Sequence, residues 1–413
     1  MTVFDRILGL LKAALNIQHM SSGEIDEELK NITFDMDPGD WDELVRIAVR
    51  NSVASLLYDL MERIPDIPEK AREGIEVYSR GIVCVNYRML ILNKQLAGLF
   101  EQAGIRYCLM KGMAAAADFP VPDLRKAGDI DLLLIDVNDS DRAVSTLAQL
   151  GFEPEKDQHS LHHISMVDKT GLEIEVHTLL AEPFDNSAIN KYLEKLIPEC
   201  GKHVIKKEVM GIEICMLEDA FHAYELLLHM LQHFLRAGFG VKLLCDWVVL
   251  WNREVDEKNR EQYLKLVKES GLKGFSDTIT RACIKYLGLK RENVLWMEPY
   301  PTDKNREDVD KDTELFMKEL EDAEEFGSAK NRMVALRGNG LFDYVREFHH
   351  QMHLNFPKAG KIFLFWPVLW IITLVRFIRN NKKVRSVSGR ELLENAGKRG
   401  KLVSSMRLFE KKR

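Results

Sequence analysis

Two short segments of this chain place charged and apolar residues at a period of two: Asp129-Ile130-Asp131, which opens the apolar run Leu132-Leu133-Leu134-Ile135, and Leu172-Glu173-Ile174-Glu175-Val176-His177. A helix cannot gather such a pattern onto one polar face, whereas a strand points successive side chains to opposite sides. Read as strands, the first puts Asp129 and Asp131 together with Ile130 and Leu132 behind. The second puts Glu173, Glu175 and His177 on one face, with Leu172, Ile174 and Val176 packing beneath. If the two strands are neighbours, two or three carboxylates converge. Like charges so placed repel, and a divalent cation is the usual compensation.

The flanking sequence has a helical period. Leu44, Ile47, Ala48, Val53, Leu56 and Leu57 follow a capping candidate at Asp40, and a long helix is expected from Pro68 to Ala103, stopped by Gly104. Further strands are expected at 106–110, 162–168, 202–209 and 212–217, with a helix at 141–150 closed by Gly151. Helical spacing returns at Leu226, Leu227, Met230, Leu231 and Phe234, then at 241–251, 277–288 and 308–326. Strands mixed with a helix indicate an α/β or α+β core of about 110 residues between helical regions. The expected divisions are an N-terminal helical region at 1–103, a sheet-bearing core at 104–217, a helical domain at 218–358, and an apolar helix with a basic tail at 359–413.

Leu109-Met110-Lys111-Gly112 ends the first expected strand, and Ala114–Ala117 suits a following helix. A glycine there lets backbone N–H groups approach a phosphate, with the helix dipole adding to the attraction. Together with Arg125, Gly128-Asp129-Ile130-Asp131-Leu132-Leu133, Leu150-Gly151-Phe152 and Ile174-Glu175-Val176-His177, this order resembles an uncharacterised branch of bacterial nucleotidyltransferases within the DNA polymerase β superfamily. The resemblance is densest over 105–180 and extends weakly to His229, His233 and Cys245-Asp246-Trp247. It implies an α+β fold, a small mixed sheet with helices, flanked by helical regions. It also implies that Asp129, Asp131 and Glu175 are the catalytic, metal-holding acids for Mg²⁺ or Mn²⁺. Lys111, Gly112, Met113, Arg125 and His177 would then bind a nucleoside triphosphate. Met113 stands where the family has Ser, which removes one hydroxyl contact to phosphate, and the separation from Gly112 to Asp129 leaves room for a loop carrying Arg125.

The implied reaction is in-line attack by an acceptor hydroxyl on the α-phosphorus with loss of pyrophosphate, two metals roughly 3.5–4 Å apart bringing the oxygens into register. The competing reading is a catalytically weak nucleotide-binding or membrane-associated scaffold that keeps the fold. His177 either orients a carboxylate, contacts nucleotide or packs. His229 and His233 have chelate spacing but read as a buried or interdomain pair, and His349, His350 and His353 as surface residues. No G-x-x-x-x-G-K-[ST], no G-x-G-x-x-G after a strand and no G-x-S-x-G occurs, so other common nucleotide and hydrolase sites receive no support.

Charge narrows the partners. The net charge is −6, yet residues 376–413 hold 13 Lys or Arg against 3 Glu. Long nucleic acid is unexpected for the acidic remainder, because counterion release needs a basic track. Ile362–Val375 is apolar on every side, but its 14 residues fall short of a membrane span. Followed by Arg376, Arg379, Lys382, Lys383 and Arg385, it suits a helix lying in an anionic membrane interface through 362–385, or else a helix buried against the N-terminal helices before a solvated tail. Met1–Leu15 reads as an amphipathic helix rather than a secretory signal, since Asp5, Arg6 and Lys12 interrupt it. Six scattered Cys with no C-x-x-C fit a reducing cytoplasm, with peripheral attachment at the inner membrane face as an extension.

Overall fold

In a computed structural model, residues 1–155, 162–236, 238–298, 305–321, 323, 341–356, 359–384, 400 and 402–409 are described. The helices of the first hundred residues begin at capping boxes. Thr2 and Asp5 open α1 (Val3–Leu15), Ser21 and Glu24 open α2 (Ser22–Thr33), and Asp37 and Asp40 open α3 (Pro38–Arg50). In each, the cap side chain takes the N3 amide and the N3 carboxylate takes the cap amide. Asp40 is thus the N3 partner of the box, and Asp37 is the cap itself. The long helix α4 runs Glu69–Gln102, about 50 Å at 1.5 Å per residue.

The remaining elements are β1 (Tyr107–Met110), α5 (Lys111–Ala116), β2 (Ile130–Leu134), α6 (Ser140–Gln149), β3 (Glu153–Pro154), β4 (His163–Val167) and β5 (Glu173–His177). They continue with α7 (Ser187–Cys200), β6 (Val204–Val209), β7 (Ile212–Leu217), α8 (Asp219–Arg236), α9 (Lys242–Asn252), α10 (Glu257–Ser270) and α11 (Lys273–Leu287). Last come α12 (Arg306–Glu321), α13 (Leu341–Asn355) and α14 (Trp366–Val384). The fold is α+β. Seven strands form one mixed sheet in the order β3-β4-β5-β2-β1-β7-β6, with β2–β5 and β1–β7 parallel and the other pairs antiparallel.

Strand alternation divides the core in two. Leu109, Ile130, Leu132, Met166, Ile174, Val176 and Met216 point to one side, where they bury with Leu96 and Phe100 of α4 and Leu147 of α6. Cys108, Met110 and Leu133 point to the other, into a cluster that also unites α1 to α3 with α8, α9, α10 and α11. Trp247, Trp251, Tyr263 and Trp296 meet there edge-on or tilted at centroid distances of 5.0–5.8 Å. Each such large side chain contributes about 1.5–3 kcal/mol on burial. The functional face is therefore the sheet surface beneath α8 and α9.

The C-terminal region departs from a buried helix with a solvated tail. α14 packs on α13 and leaves its Val368 and Ile371 at 59% and 63% exposure, and Phe363 and Leu364 in the turn before it are 74% and 71% exposed. Within the tail, Leu402, Val403, Met406 and Leu408 are buried in the main core, and the Phe409 amide donates to the Gly271 carbonyl. The basic residues between 385 and 399 lie outside the described residues. His349 and His353 are half-buried rather than superficial, with rings against Trp366 at 4.5 and 5.7 Å.

Candidate functional site

The site begins at the turn from β1 into α5. Lys111 has φ +47°, in the left-handed region that costs an L-residue about 1–2 kcal/mol. That conformation presents its amide to Glu225 Oε2 on α8 at 3.2 Å while its ammonium reaches Asp131 Oδ1 at 2.6 Å. Gly112 comes next. A Cβ there would stand 3.3 Å from Ala127 Cβ and 3.5 Å from Arg125 Nη1, so a bare backbone is what lets the segment before β2 lie against the turn.

Sheet register supplies the convergence that the alternating segments led one to expect. In the parallel β2–β5 pair, Asp131 lies opposite Glu175 and Leu133 opposite His177. Antiparallel β4 then sets Ser165 opposite Glu175 and His163 opposite His177. The side chains close into a network: His177 Nε2 lies 2.8 Å from Asp131 Oδ1 and 3.0 Å from Glu175 Oε2, and Lys111 Nζ lies 3.7 Å from Glu175 Oε2. His163 Nε2 lies 3.4 Å from Glu175 Oε1. Asp131 and His177 are each 1% exposed at the side chain, Glu175 16%.

Electrostatics sort the acids. Burial would raise Asp131, but the Lys111 ammonium, then His177, hold it well below the usual carboxylate range. Burial would likewise lower Lys111, and the charges of Asp131 and Glu175 keep it above its ordinary value. Asp129, just before β2, is half-buried and receives no hydrogen bond from any described residue. Burial, reinforced by the charge of Asp131, pushes it up to about 7. His177 is raised: burial and Lys111 oppose its charge, and hydrogen bonds to Asp131 and Glu175 prevail. His162 and His163 are lowered to about 2 and about 4, chiefly by burial.

Of the expected site residues, Asp131, Glu175, His177 and Lys111 are brought into direct contact, and Asp129 borders them. Arg125 is placed elsewhere. It is 3% exposed, its Nε and Nη2 bond the two carboxylate oxygens of Asp246 on α9 at 3.0 and 2.6 Å, and its Nη1 donates to the Gly112 carbonyl at 3.1 Å. It braces the turn from behind. Met113 is 2% exposed and belongs to the core on the far side of the sheet. His229 and His233 sit edge-on to each other at 4.5 Å, one and two helical turns beyond Glu225, and are held neutral mainly by burial. Residues that the sequence did not single out are Glu225 and the pair His162-His163. Period-two reading of β4 opposite Glu175 could have found His163; nothing local marks Glu225.

The donor chemistry fits a divalent cation. Asp131, Glu175 and His177 offer ligand atoms all within 4.8 Å of one another. Asp129, Asp131 and Glu175 carry −3 when ionised against +1 on Lys111 and a further +1 on His177 when it is protonated, so the cluster stays net negative and a cation would offset the remainder.

A sequence profile for a family described as uncharacterised nucleotidyltransferase matches residues 37–288, more than half of the chain. No curated protein matches in sequence. Among solved structures, the crystal structure of an antigenic nucleotidyltransferase-like protein from Paracoccidioides brasiliensis aligns with 49% of this chain and 92% of its own. Its identity is 15% and its TM-score 0.30.

Proposed function

The chain belongs to this uncharacterised nucleotidyltransferase family, and on that premise we propose that it transfers a nucleoside monophosphate from an NTP to an acceptor hydroxyl, with Asp129, Asp131 and Glu175 as the acids that hold Mg²⁺ or Mn²⁺. The observation that carries the reading is the lateral register of Asp131 and Glu175 on adjacent parallel strands, beside a strained Lys111-Gly112 turn. Bound there, the metal would neutralise charge on the triphosphate and lower the pKa of the attacking hydroxyl.

The chain's own residues do the rest. Lys111 Nζ, already among the acids, is the cation that meets the phosphates. His177 Nε2 fixes the orientation of Asp131 and Glu175 through its two contacts, which limits its share in nucleotide binding to positioning. Gly112 offers backbone to the triphosphate, and with Met113 turned into the core that contact is made without a neighbouring hydroxyl. Arg125 acts through the Gly112 carbonyl and Asp246 rather than on phosphate. Acceptor choice is left to the flanking helices.

Incubation with α-labelled ATP, GTP, CTP and UTP, Mg²⁺ and a cell extract tests this. Label transfer that disappears in Asp131→Ala supports the enzyme; absence of transfer with every one of the four nucleotides favours the nucleotide-binding scaffold, for which the buried Met113 is the motive.

A second reading concerns where the chemistry takes place. Among the described residues no helix is long and apolar enough to cross a membrane. The exposed run from Ile362 to Val375, with Phe363, Phe365 and Trp370 among its side chains, is followed in sequence by Arg376, Arg379, Lys382 and Lys383. Apolar surface next to clustered cations matches an anionic lipid surface. Co-sedimentation with phosphatidylserine vesicles at low salt, weakened by high salt, is the expected result; no binding at low salt refutes it.

A further inference from the structure

Beside the carboxylates lies a second group of ligands of different chemistry. His162, His163 and His177 offer ring nitrogens that all lie within 4.8 Å of one another. The sheet enforces this: His163 is the cross-strand partner of His177, and the Thr178 amide donates to the His162 carbonyl, pinning the start of β4 beside the end of β5. The ring centroids are 4.4 Å apart for His162–His163, 5.2 Å for His163–His177 and 5.6 Å for His162–His177.

Two of the three rings are oriented by acids through one nitrogen only. His177 turns Nε2 to Asp131 and Glu175, and His163 turns Nε2 to Glu175. The Nδ1 of His177 is left for another use. His163 Nδ1 lies 3.0 Å from His162 Nε2, and His177 Nδ1, on a side chain 1% exposed, has no hydrogen-bond partner among the described residues. An orphaned imidazole nitrogen in a buried site is destabilising unless something takes it up. Metal-bound histidines are arranged in this way, one nitrogen on the ion and the other on a carboxylate that fixes the tautomer.

We propose that His162 Nε2, His163 Nδ1 and His177 Nδ1 form a three-imidazole site for a transition-metal ion of the Zn²⁺ class, adjoining the carboxylate site through His177. Imidazole nitrogens suit Zn²⁺ and its neighbours, whereas carboxylates suit Mg²⁺ and Mn²⁺. The two donor sets therefore select different ions and share His177 as a link. Ligation at Nδ1 obliges Nε2 to carry the proton that bonds Asp131 and Glu175. This inference does not rest on nucleotidyl transfer and stands or falls by metal binding alone.

The test uses the full chain, free of any polyhistidine tag and stripped with EDTA, titrated with Co²⁺ and then Zn²⁺. One Co²⁺ per chain with visible d–d absorption, displaced by Zn²⁺, is expected. His162→Ala and His163→Ala should each weaken Zn²⁺ binding at least tenfold, while Asp129→Asn leaves it intact. X-ray absorption on the wild-type Zn²⁺ form, which needs no substitution to fold, should count three imidazoles. Absence of stoichiometric binding, fewer than three imidazoles, affinity unmoved in both histidine variants, or equal loss in Asp129→Asn would each overturn the proposal.

Discussion

Asp129→Asn is the most discriminating perturbation of the acidic site, because the substitution keeps shape and removes only charge. Asp129 rises from an ordinary 3.8 to about 7 in the folded chain, chiefly by burial and then by the charge of Asp131. The native state therefore binds a proton more tightly than the unfolded state does. By linkage, the stability associated with this group is fully present below about pH 4 and is lost as pH rises to about 7. A shift of about 3 units at 1.36 kcal/mol each gives an upper bound near 4 kcal/mol, and sharing with Asp131 reduces this to about 2 kcal/mol. In EDTA at pH 8, Asp129→Asn should melt higher than wild type by roughly 4 °C, taking about 2 °C per kcal/mol for a large cooperative unit. At pH 4 the two should coincide. Millimolar Mg²⁺ at pH 8 should raise the wild type and leave the variant behind, because a cation near Asp129 converts the cost of its charge into a gain. Differential scanning fluorimetry over pH 4–8, with and without Mg²⁺, measures all of this. A variant that melts at or below the wild type at pH 8 in EDTA refutes the reasoning.

Three further outcomes follow from the geometry. Lys111→Met removes the counter-ion of Asp131 and should lower stability by about 3 kcal/mol in EDTA; Mg²⁺ should restore more melting temperature to it than to wild type, and equal gains would contradict the role given to Lys111. Asp246→Ala strands the buried Arg125 guanidinium and should cost about 3–5 kcal/mol, while Arg125→Met with Asp246→Leu should cost less than the two single changes added together, as urea unfolding would reveal. At Gly274 an added Cβ would collide with the Met406 carbonyl, so Gly274→Ala should displace the 402–409 segment from α11. Faster amide exchange confined to 402–409 and its neighbours, with about 1–3 kcal/mol lost, is the expected readout.

Much of the sheet is legible in the primary structure because alternation is local. The run 129–135 supplies β2 and 172–177 supplies β5 with the anticipated faces, and Gly171 and Gly211, both at positive φ, sit in the turns that join β4 to β5 and β6 to β7. The 34 residues of α4 were equally plain, since one uninterrupted period ends at a glycine. Less visible were α7, which carries Pro198 inside it, and α10, where only Tyr263, Leu266, Val267 and Ser270 are buried in a highly polar run. The apolar run before Arg376 gave no sign of whether it was core or surface, for hydrophobicity names what a residue avoids and not whether a partner is there to cover it.

By itself, then, the sequence determined which side chains share a strand face, and thus that Asp129 and Asp131 belong together, as do Glu175 and His177. Tertiary structure decided what faces what. Only the parallel β2–β5 register puts Asp131 level with Glu175; a slip by one residue would have turned one set into the apolar core. Only the packing of α9 turns Arg125 from an apparent phosphate ligand into the buried partner of Asp246, and only α8 carries Glu225 to the amide of Lys111. These contacts join residues 114 and 121 positions apart. Nothing in local chain geometry encodes such distances; they follow from how helices and sheet bury their apolar faces together.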